Sequence, residues 1–439
     1  MSATDQTADG VVRMAPVVKI ALAIAAAGFL GVCVWLTWVA PVLTPYSDML
    51  DWVARYLDFR GDHDLAAYLL TPHISHRLVA TFLVLWADAG LFGAHGWLFV
   101  IVGVGALALT AGLLGKAAAQ AAQGDMAWVI GAAAAGLTLG PGGFLDATLH
   151  ICTIYVEALA FMVGAILLAS PAGEEAPSPG RLILALACAV AAAFCNGVGL
   201  AVWPVLAFAT WRRNRMLGQA ILVGGVLFAL AYFAGQAGGS ALHAPQTAGG
   251  GGVRRMALMF FSYLGLPLTW AVPRLGWALG LVLAGLSGWA ILRRGGHDAP
   301  RAERVAVQLI QLSLVTAAMA AVGRNDAALP TQAPLRYAVF LTPLHVGLLM
   351  LAAPALQKIV FARPRQTQAL LVVVALLFTA LQLGAGVFVA RTADINRARI
   401  AAFKSGDRSP PVLAVMYPDA AKAEAMRARM AAAGVYQDN

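Results

Sequence analysis

Long apolar runs recur along the whole chain, and they constrain its fold more than any other feature. The runs are about 18–24 residues long, the length that an α-helix needs to cross the hydrocarbon core of a bilayer. Backbone N–H and C=O groups in lipid have to be paired within the segment, so helices are the expected form. The alternating pattern of membrane β-strands is absent from the sequence. The sequence therefore predicts an all-α, polytopic membrane protein.

Eleven of the apolar runs are predicted to cross the membrane. They are 17–40, 96–116, 126–143, 150–169, 181–196, 198–211, 216–236, 275–293, 304–323, 335–359 and 368–391. Two further stretches, 77–94 and 257–272, are predicted to lie along the interface or to re-enter. If these two stretches do not cross, all clusters of Lys and Arg lie in loops on one side of the membrane. That side is the cytoplasmic one, where basic residues are enriched. The clusters are Arg13 with Lys19, Lys116, 211–215, 293–304 and 358–365.

This arrangement predicts a transmembrane domain over residues 1–391, with a cytoplasmic amino terminus and a short external tail at 392–439. Residues 41–95 form the first external loop and its interfacial helices. The net charge of +9 is explained by the basic cytoplasmic loops, so we expect no nucleic-acid partner. The Ala- and Gly-rich composition indicates a bacterial protein, for which the inner membrane is the expected location.

The stretch TPYSDMLDWV places two carboxylates, Asp48 and Asp51, just beyond the first apolar run. The two would share one face of a short helix. A carboxylate at a membrane edge can accept the proton of an attacking hydroxyl while a lipid-linked phosphate leaves. The alternative interpretation is an acidic, solvated helix face.

External cations would suit a leaving phosphate, because arginine presents a forked donor that stays charged. The candidate residues for binding the phosphate or its lipid are His76, Arg77, Arg254, Arg255, Arg324, Arg336 and Tyr337. The alternative for each arginine is an interfacial anchor that sets the depth of a helix. For Arg324 and Arg336 a functional role is favoured, because both lie on the external side, whereas basic residues are expected on the cytoplasmic side.

Two further groups of acidic residues and histidines are candidates for a cavity and for a metal site. Asp146, His150 and Glu157 surround the start of one predicted span, where they would line a cavity or bond to neighbouring helices. A divalent metal site stays open among the irregularly spaced Asp62, His63, Asp64 and His73, and no cofactor is implied with certainty.

Several short motifs occur together in one order along the chain. TPYSDMLDW follows the first span, and PHISHRL places His76 and Arg77 before an interfacial stretch. FCNGVGLAVWPV (194–205) follows in the middle, and a late Gly323-Arg324 precedes Arg336-Tyr337. This pattern resembles the C-type integral-membrane glycosyltransferases, in particular their uncharacterised bacterial branch. It covers about residues 17–433, and it departs from the family at Ser75, where an acidic residue usually precedes the His-Arg pair.

The resemblance implies a sugar donor carried by polyprenyl phosphate and an acceptor that is a lipid-linked glycan, a polysaccharide or another envelope molecule. It assigns the role of catalytic base to Asp48, with Asp51 in reserve. The implied reaction is one inverting displacement on the outer face, with the phosphate leaving towards Arg324 and Arg336.

Two other functions remain compatible with the sequence. A transporter or flippase of lipid-linked sugars would share the groove and the cations without needing a base, although no internal repeat is visible. A non-catalytic subunit of an envelope assembly complex would use the tail as its contact and would tolerate changes at Asp48.

Overall fold

A computed structural model of the chain describes residues 13–73, 76–171, 177–211, 213–234, 252–266, 268–269, 272–294, 299–324 and 333–436. Ser75, most of the Gly-rich stretch after residue 234 and the segment between Arg324 and Arg336 lie largely outside these residues.

The described residues form eighteen α-helices. They are α1 (Pro16–Val39), α2 (Asp48–Asp62), α3 (Leu65–Leu70), α4 (Val79–Leu91), α5 (Trp97–Ala119), α6 (Asp125–Thr138), α7 (Pro141–Thr148), α8 (Thr153–Ala169), α9 (Pro179–Cys195), α10 (Val202–Trp211), α11 (Arg215–Phe233), α12 (Gly252–Leu264), α13 (Gly276–Arg294), α14 (Arg301–Gly323), α15 (Ala338–Ala362), α16 (Pro364–Lys404), α17 (Pro410–Met416) and α18 (Ala420–Ala433). Short 3₁₀ turns lead into α8, α10, α13 and α15. The predicted all-helical membrane fold is confirmed.

Eight helices are long and apolar enough to cross a membrane, and they match eight of the eleven predicted spans: α1, α5, α8, α11, α13, α14, α15 and α16. The predicted span 126–143 becomes α6 and α7, which are bent by 52° and count together as a ninth. The remaining two, 181–196 and 198–211, form α9 and α10. With 17 and 10 residues these are shorter than a straight crossing of about 30 Å requires.

The loops of the chain gather at two ends of the bundle. The amino-terminal end is joined by the pairs Lys19–Asp125, Ala15–Gln368, Gln123–Gln357, Ser170–Arg301 and Arg294–Glu303. The other end, which we call the Asp48 end, is joined by the pairs Pro41–Arg397, His76–Gly197, Arg77–Ala234 and Arg324–Tyr337. The loops therefore segregate in the two groups that the charge pattern separates.

Burial separates central helices from peripheral ones. In their most apolar windows, 67% of α14 but only 22% of α1 and 17% of α16 are buried within the protein. The exposed side chains of α1 and α16 are nevertheless large and apolar, among them Ile24, Leu30, Val373 and Leu377. Such helices face lipid along most of their length, since apolar side chains are stable there without protein neighbours.

A second apolar core lies at the Asp48 end, separate from the core of the bundle. It joins α2, α3 and α4 of the first loop to the carboxyl-terminal residues, with Trp52, Tyr68, Phe82 and Phe403 among its fully buried members. The tail contributes α17 and α18 to this core. The last predicted span ends at 391, but α16 continues to Lys404, because no helix-breaking residue interrupts it there.

Glycines on α13 allow a close approach of α12. A Cβ built on Gly280 would lie 1.7 Å from the carbonyl oxygen of Phe261, and one on Gly265 would lie 2.3 Å from that of Gly276. Gly276 and Gly280 lie one turn apart on one face of α13. The packing of α12 on α13 therefore depends on having no side chain at these positions.

Gly280→Ala is expected to destabilise the protein, and Gly285→Ala on the same helix is the matched control. The first substitution forces α12 away from α13 and should cost about 1–3 kcal/mol, the usual range for overpacking. A Cβ on Gly285 meets nothing within 4 Å, so the better helix propensity of alanine should leave stability unchanged or raise it. Thermal unfolding of both variants in detergent tests the difference. Equal transition temperatures would contradict the proposed contact.

Candidate functional site

Asp48 is the first residue of α2, directly after the end of the first apolar helix and its short connection. The preceding Ser47 has φ of 53°, and its N–H donates to the carbonyl of Met416 at 2.6 Å. The Asp48 side chain is 49% exposed, and its Oδ2 lies 3.9 Å from Nε2 of His73. A carboxylate in the first turn of a helix is stabilised by the helix dipole. Asp48 is thus an accessible acid at a fixed position.

Asp51 is bound by the carboxyl-terminal segment. The hydroxyl of Tyr417 donates to its Oδ2 at 2.8 Å, and the ammonium of Lys422 lies 2.8 Å from its Oδ1. Burial lowers the pKa of Lys422, but the hydrogen bonds and charge of Asp51 and Tyr417 outweigh it and raise that pKa above its ordinary value. Both oxygens of Asp51 therefore have partners.

Two further contacts hold the carboxyl-terminal segment on the first loop. Arg429 donates to Asp58 at 2.5 Å across the exposed side of α2. The buried hydroxyl of Tyr436 donates to Asp88 Oδ2 at 2.7 Å. Asp88 also accepts backbone N–H groups of Gly96 and Leu98 at the start of α5. The tail, which has no chemical role in the sequence analysis, is thus part of the support of α2.

The segment containing His73 and His76 is held by backbone hydrogen bonds and by Arg55. His73 N donates to the carbonyl of His76 at 2.7 Å, and His76 N donates back at 2.9 Å. The guanidinium of Arg55 donates to the carbonyls of Thr71 and Pro72 at 2.6 and 3.1 Å, and it lies 4.6 Å above the ring of Phe82. These contacts hold the backbone around His73 in place beside Asp48.

Arg77 caps the end of α11. Its Nε and Nη2 donate to the carbonyls of Tyr232 and Ala234 at 2.8 and 2.6 Å, and Nη1 donates to the carbonyl of Leu70. Its backbone N–H donates to the Tyr232 hydroxyl at 2.9 Å. The predicted phosphate ligand therefore has each guanidinium nitrogen engaged with the backbone, an arrangement that satisfies carbonyls left free by a helix end.

His76 packs on the turn between α9 and α10. A Cβ on Gly197 would lie 2.8 Å from its Nδ1, which is buried without a hydrogen-bond partner among the described residues. Burial, and then the charge of His73, lower the pKa of His76 from 6.5 to about 4. The turn after α9 is closed by the Asn196 side chain, which accepts a hydrogen bond from Val198 N at 3.0 Å. Two motifs distant in sequence thus meet at one contact.

The predicted phosphate-binding residues Arg324, Arg336 and Tyr337 lie close together. The Cζ atoms of Arg324 and Arg336 lie 5.7 and 5.8 Å from the Tyr337 ring centroid, within the range of cation–π attraction. Arg324 Nη1 also donates to the Tyr337 hydroxyl at 3.4 Å. The rings of Tyr155 and Tyr263 contact Tyr337 at 5.7 and 5.3 Å. Two cations therefore converge on an aromatic cluster at the Asp48 end.

Asp146, near the end of α7, and Cys152, just before α8, are both buried. Asp146 is fully buried, and neither of its oxygens has a hydrogen-bond partner in the described part of the chain. Buried polar atoms left unpaired are uncommon and costly.

The other two predicted cavity residues are buried as well. His150 is fully buried and stacks on Phe99 at 5.2 Å, with both ring nitrogens unpartnered among the described residues. Glu157 is 5% exposed within α8 and has one oxygen that is unpartnered among these residues.

Arg254 and Arg255 lie in the first turn of α12, exposed and half-buried respectively, whereas Tyr263 lies at the other end of that helix. No three His, Cys, Asp or Glu side chains in the described ranges are grouped to hold a metal ion, and this includes Asp62, His63, Asp64 and His73. Sequence reasoning missed Cys152, Tyr155 and Tyr263. Only their position near the start or end of a helix could have indicated them.

Comparison of the chain with protein-family profiles, with curated proteins and with solved structures returned no match. The fold itself defines the class: in the residues that the structure describes, it is an all-helical protein with eight, or up to nine, helices able to cross a membrane. The polar residues of the candidate site lie together at one end of that bundle.

The Asp51–Lys422 pair should contribute measurably to the attachment of the tail. Its side chains are 22% and 33% exposed, against 60% and 48% for Asp58 and Arg429. In double-mutant cycles with Asn and Gln replacements, we expect a coupling of about 1 kcal/mol for the first pair and below about 0.5 kcal/mol for the second. Unfolding measured in one detergent at one salt concentration tests this. Equal couplings would contradict a special role for Asp51.

Acidification should destabilise the fold through His76. Its pKa of about 4 in the folded state lies below the ordinary 6.5, so the unfolded state binds more protons between these values. Stability from this residue is complete above pH 6.5 and is lost as the pH falls towards 4, by up to about 3 kcal/mol. His76→Gln should flatten the pH dependence of thermal unfolding, whereas His63→Asn, at an exposed helix end, should keep the wild-type slope. A wild-type slope in His76→Gln would contradict the assignment.

Proposed function

We propose that the protein is a C-type membrane glycosyltransferase that moves a sugar from a polyprenyl-phosphate donor to a glycan, a lipid or another envelope acceptor. The observation that carries the proposal is that a half-exposed acid, Asp48, and the cluster of Arg324, Arg336 and Tyr337 lie at the same end of an apolar bundle. A lipid-linked phosphate requires this combination, because its tail lies in the membrane and its reactive bond at the edge.

In the proposed topology the chain crosses the bacterial inner membrane eleven times, with a cytoplasmic amino terminus and the Asp48 end outside. The contacts of α9 support this count, because its first turn lies at one end of the bundle and the turn that follows it lies at the other. Arg181 at the start of α9 donates to the carbonyl of Leu168, and Gly197 after α9 contacts His76. The basic loops gather at the amino-terminal end, the side that positive charge marks as cytoplasmic.

Asp48 is the proposed catalytic base, and Asp51 is a positioning residue. The partners of Asp51 support this division, because an acid paired with Lys422 is a weaker proton acceptor than an accessible one. Asp51 and Tyr417 keep the first turn of α2 in place. His73 lies beside Asp48 and can orient its carboxylate.

Arg336 and Arg324 are the proposed phosphate ligands. Their guanidinium groups stack near Tyr337, whereas the guanidinium of Arg77 is engaged by three carbonyls. We therefore give Arg77 and His76 the role of holding the first loop against α11 and the Gly197 turn. Arg254 and Arg255 remain proposed lipid-phosphate contacts through their position on α12.

The proposed reaction is a single displacement. The acceptor hydroxyl gives its proton to Asp48 as its oxygen bonds to the anomeric carbon. The bond from that carbon to the phosphate oxygen breaks with inversion, and the electron pair leaves on polyprenyl phosphate. Arg336 and Arg324 stabilise the charge that develops on the phosphate.

The test is sugar transfer by purified protein in nanodiscs, with radiolabelled polyprenyl-phosphate sugars and candidate acceptor lipids. Asp48→Asn is expected to lose at least about 10²-fold in turnover, the contribution of a positioned base. Asp58→Asn makes the same charge change on an exposed face of α2 and should keep wild-type turnover, with both variants monodisperse in size exclusion.

Other outcomes separate the alternatives. Transfer that survives Asp48→Asn would remove Asp48 from the role of base. Binding of the lipid carrier with no transfer from any donor would favour a flippase. A stoichiometric partner protein that co-purifies equally with wild type and Asp48→Asn would favour a non-catalytic subunit.

A further inference from the structure

A groove of about 580 Å³ lies between the end of α1 and the outer part of α16, outside the Tyr337 cluster. One face of α16 forms one wall, with Ala390, Asp394, Arg397, Ala401 and Lys404 at helical spacing. The last turn of α1 and the connection that follows it form the other wall. The groove extends over about 21 Å of α16, from the apolar span into the region beyond it.

The chemistry of the groove changes along its length. Its apolar part is lined by Trp35 and Trp38, which are 37% and 70% exposed, and by Ala390. Tryptophan prefers the boundary between hydrocarbon and headgroups. Beyond the tryptophans come Arg397 and Lys404. Along the groove, an apolar part is followed by aromatic and then by cationic groups. The acyl chain, glycerol region and anionic headgroup of a phospholipid come in the same order.

The cationic end is only partly neutralised. Arg397 donates to the carbonyls of Pro41 and Val39 and to Asp394, so it is fixed in place. Lys404 is exposed and has no hydrogen-bond or ion-pair partner in the part of the chain that the structure describes. Two cations and one carboxylate leave the rim with one net positive charge, which complements a phospholipid headgroup with one negative charge.

We infer that this groove binds a phospholipid with an anionic headgroup from the leaflet at the Asp48 end. The acyl chains contact Trp35 and Trp38, and the headgroup phosphate contacts Lys404 and the rim around Arg397. This inference does not rest on the proposed sugar transfer, and it places a lipid between the first membrane helix and the helix that carries the tail.

The test uses the full chain in mixed micelles and phosphatidylglycerol brominated in its acyl chains, which quenches nearby tryptophan fluorescence. The difference between wild type and Trp38→Phe isolates the signal of Trp38, since phenylalanine keeps a ring against Trp97, which lies 5.8 Å away. Unlabelled phosphatidylglycerol should reverse the quenching at a mole fraction at least about 5-fold lower than phosphatidylcholine does.

Lys404→Gln should reduce this preference about 5-fold, the effect of one cation at a membrane surface. Arg399→Gln removes a charge from the same helix outside the groove and should leave the preference unchanged. Equal competition by the two lipids, equal losses in both variants, or no quenching of Trp38 would overturn the inference. Reversal by inorganic phosphate alone would also overturn it, because the site would then recognise a free anion.

Discussion

The carboxylate of Asp51 joins segments 366 residues apart in the sequence, and the geometry of the Asp48 end depends on that junction. The α2 helix has 15 residues, too few to be stable alone in water. It is ordered by packing and by the Tyr417 and Lys422 bonds to Asp51. Ser47, immediately before Asp48, is held by the carbonyl of Met416. The position of Asp48 is therefore set jointly by the two ends of the chain.

The second apolar core explains how an accessible acid can also be a well-positioned one. Asp48 itself is half exposed, but Met49, Leu50, Trp52 and Val53 on the same helix are buried. The buried face fixes the helix, and the exposed edge presents the carboxylate. Because α18 and Tyr436 complete this core, the tail acts on the site through packing and needs no direct contact with a substrate.

The sequence was sufficient for features that depend on local physics. Apolar runs located all eight long spans, because the length of a membrane helix is set by the bilayer. The segments at 181–196 and 198–211 agree with α9 and with the 3₁₀ turn and α10 within two residues, because the Asn196-Gly197 turn between them is also a local feature.

Features that depend on long-range pairing could not be predicted. Nothing near Lys422 in the sequence indicates that it pairs with Asp51. The arginines show the same limit. Arg77 and Arg324 look alike in sequence, but one has its donors on three carbonyls and the other makes one long hydrogen bond to Tyr337. The guanidinium of Arg77, whose nitrogens are bound to carbonyls, stabilises the fold. The guanidinium of Arg324, with one long hydrogen bond among the described residues, is the better candidate for binding a phosphate. Their surroundings, rather than their positions in the chain, therefore separate the structural arginine from the candidate ligand.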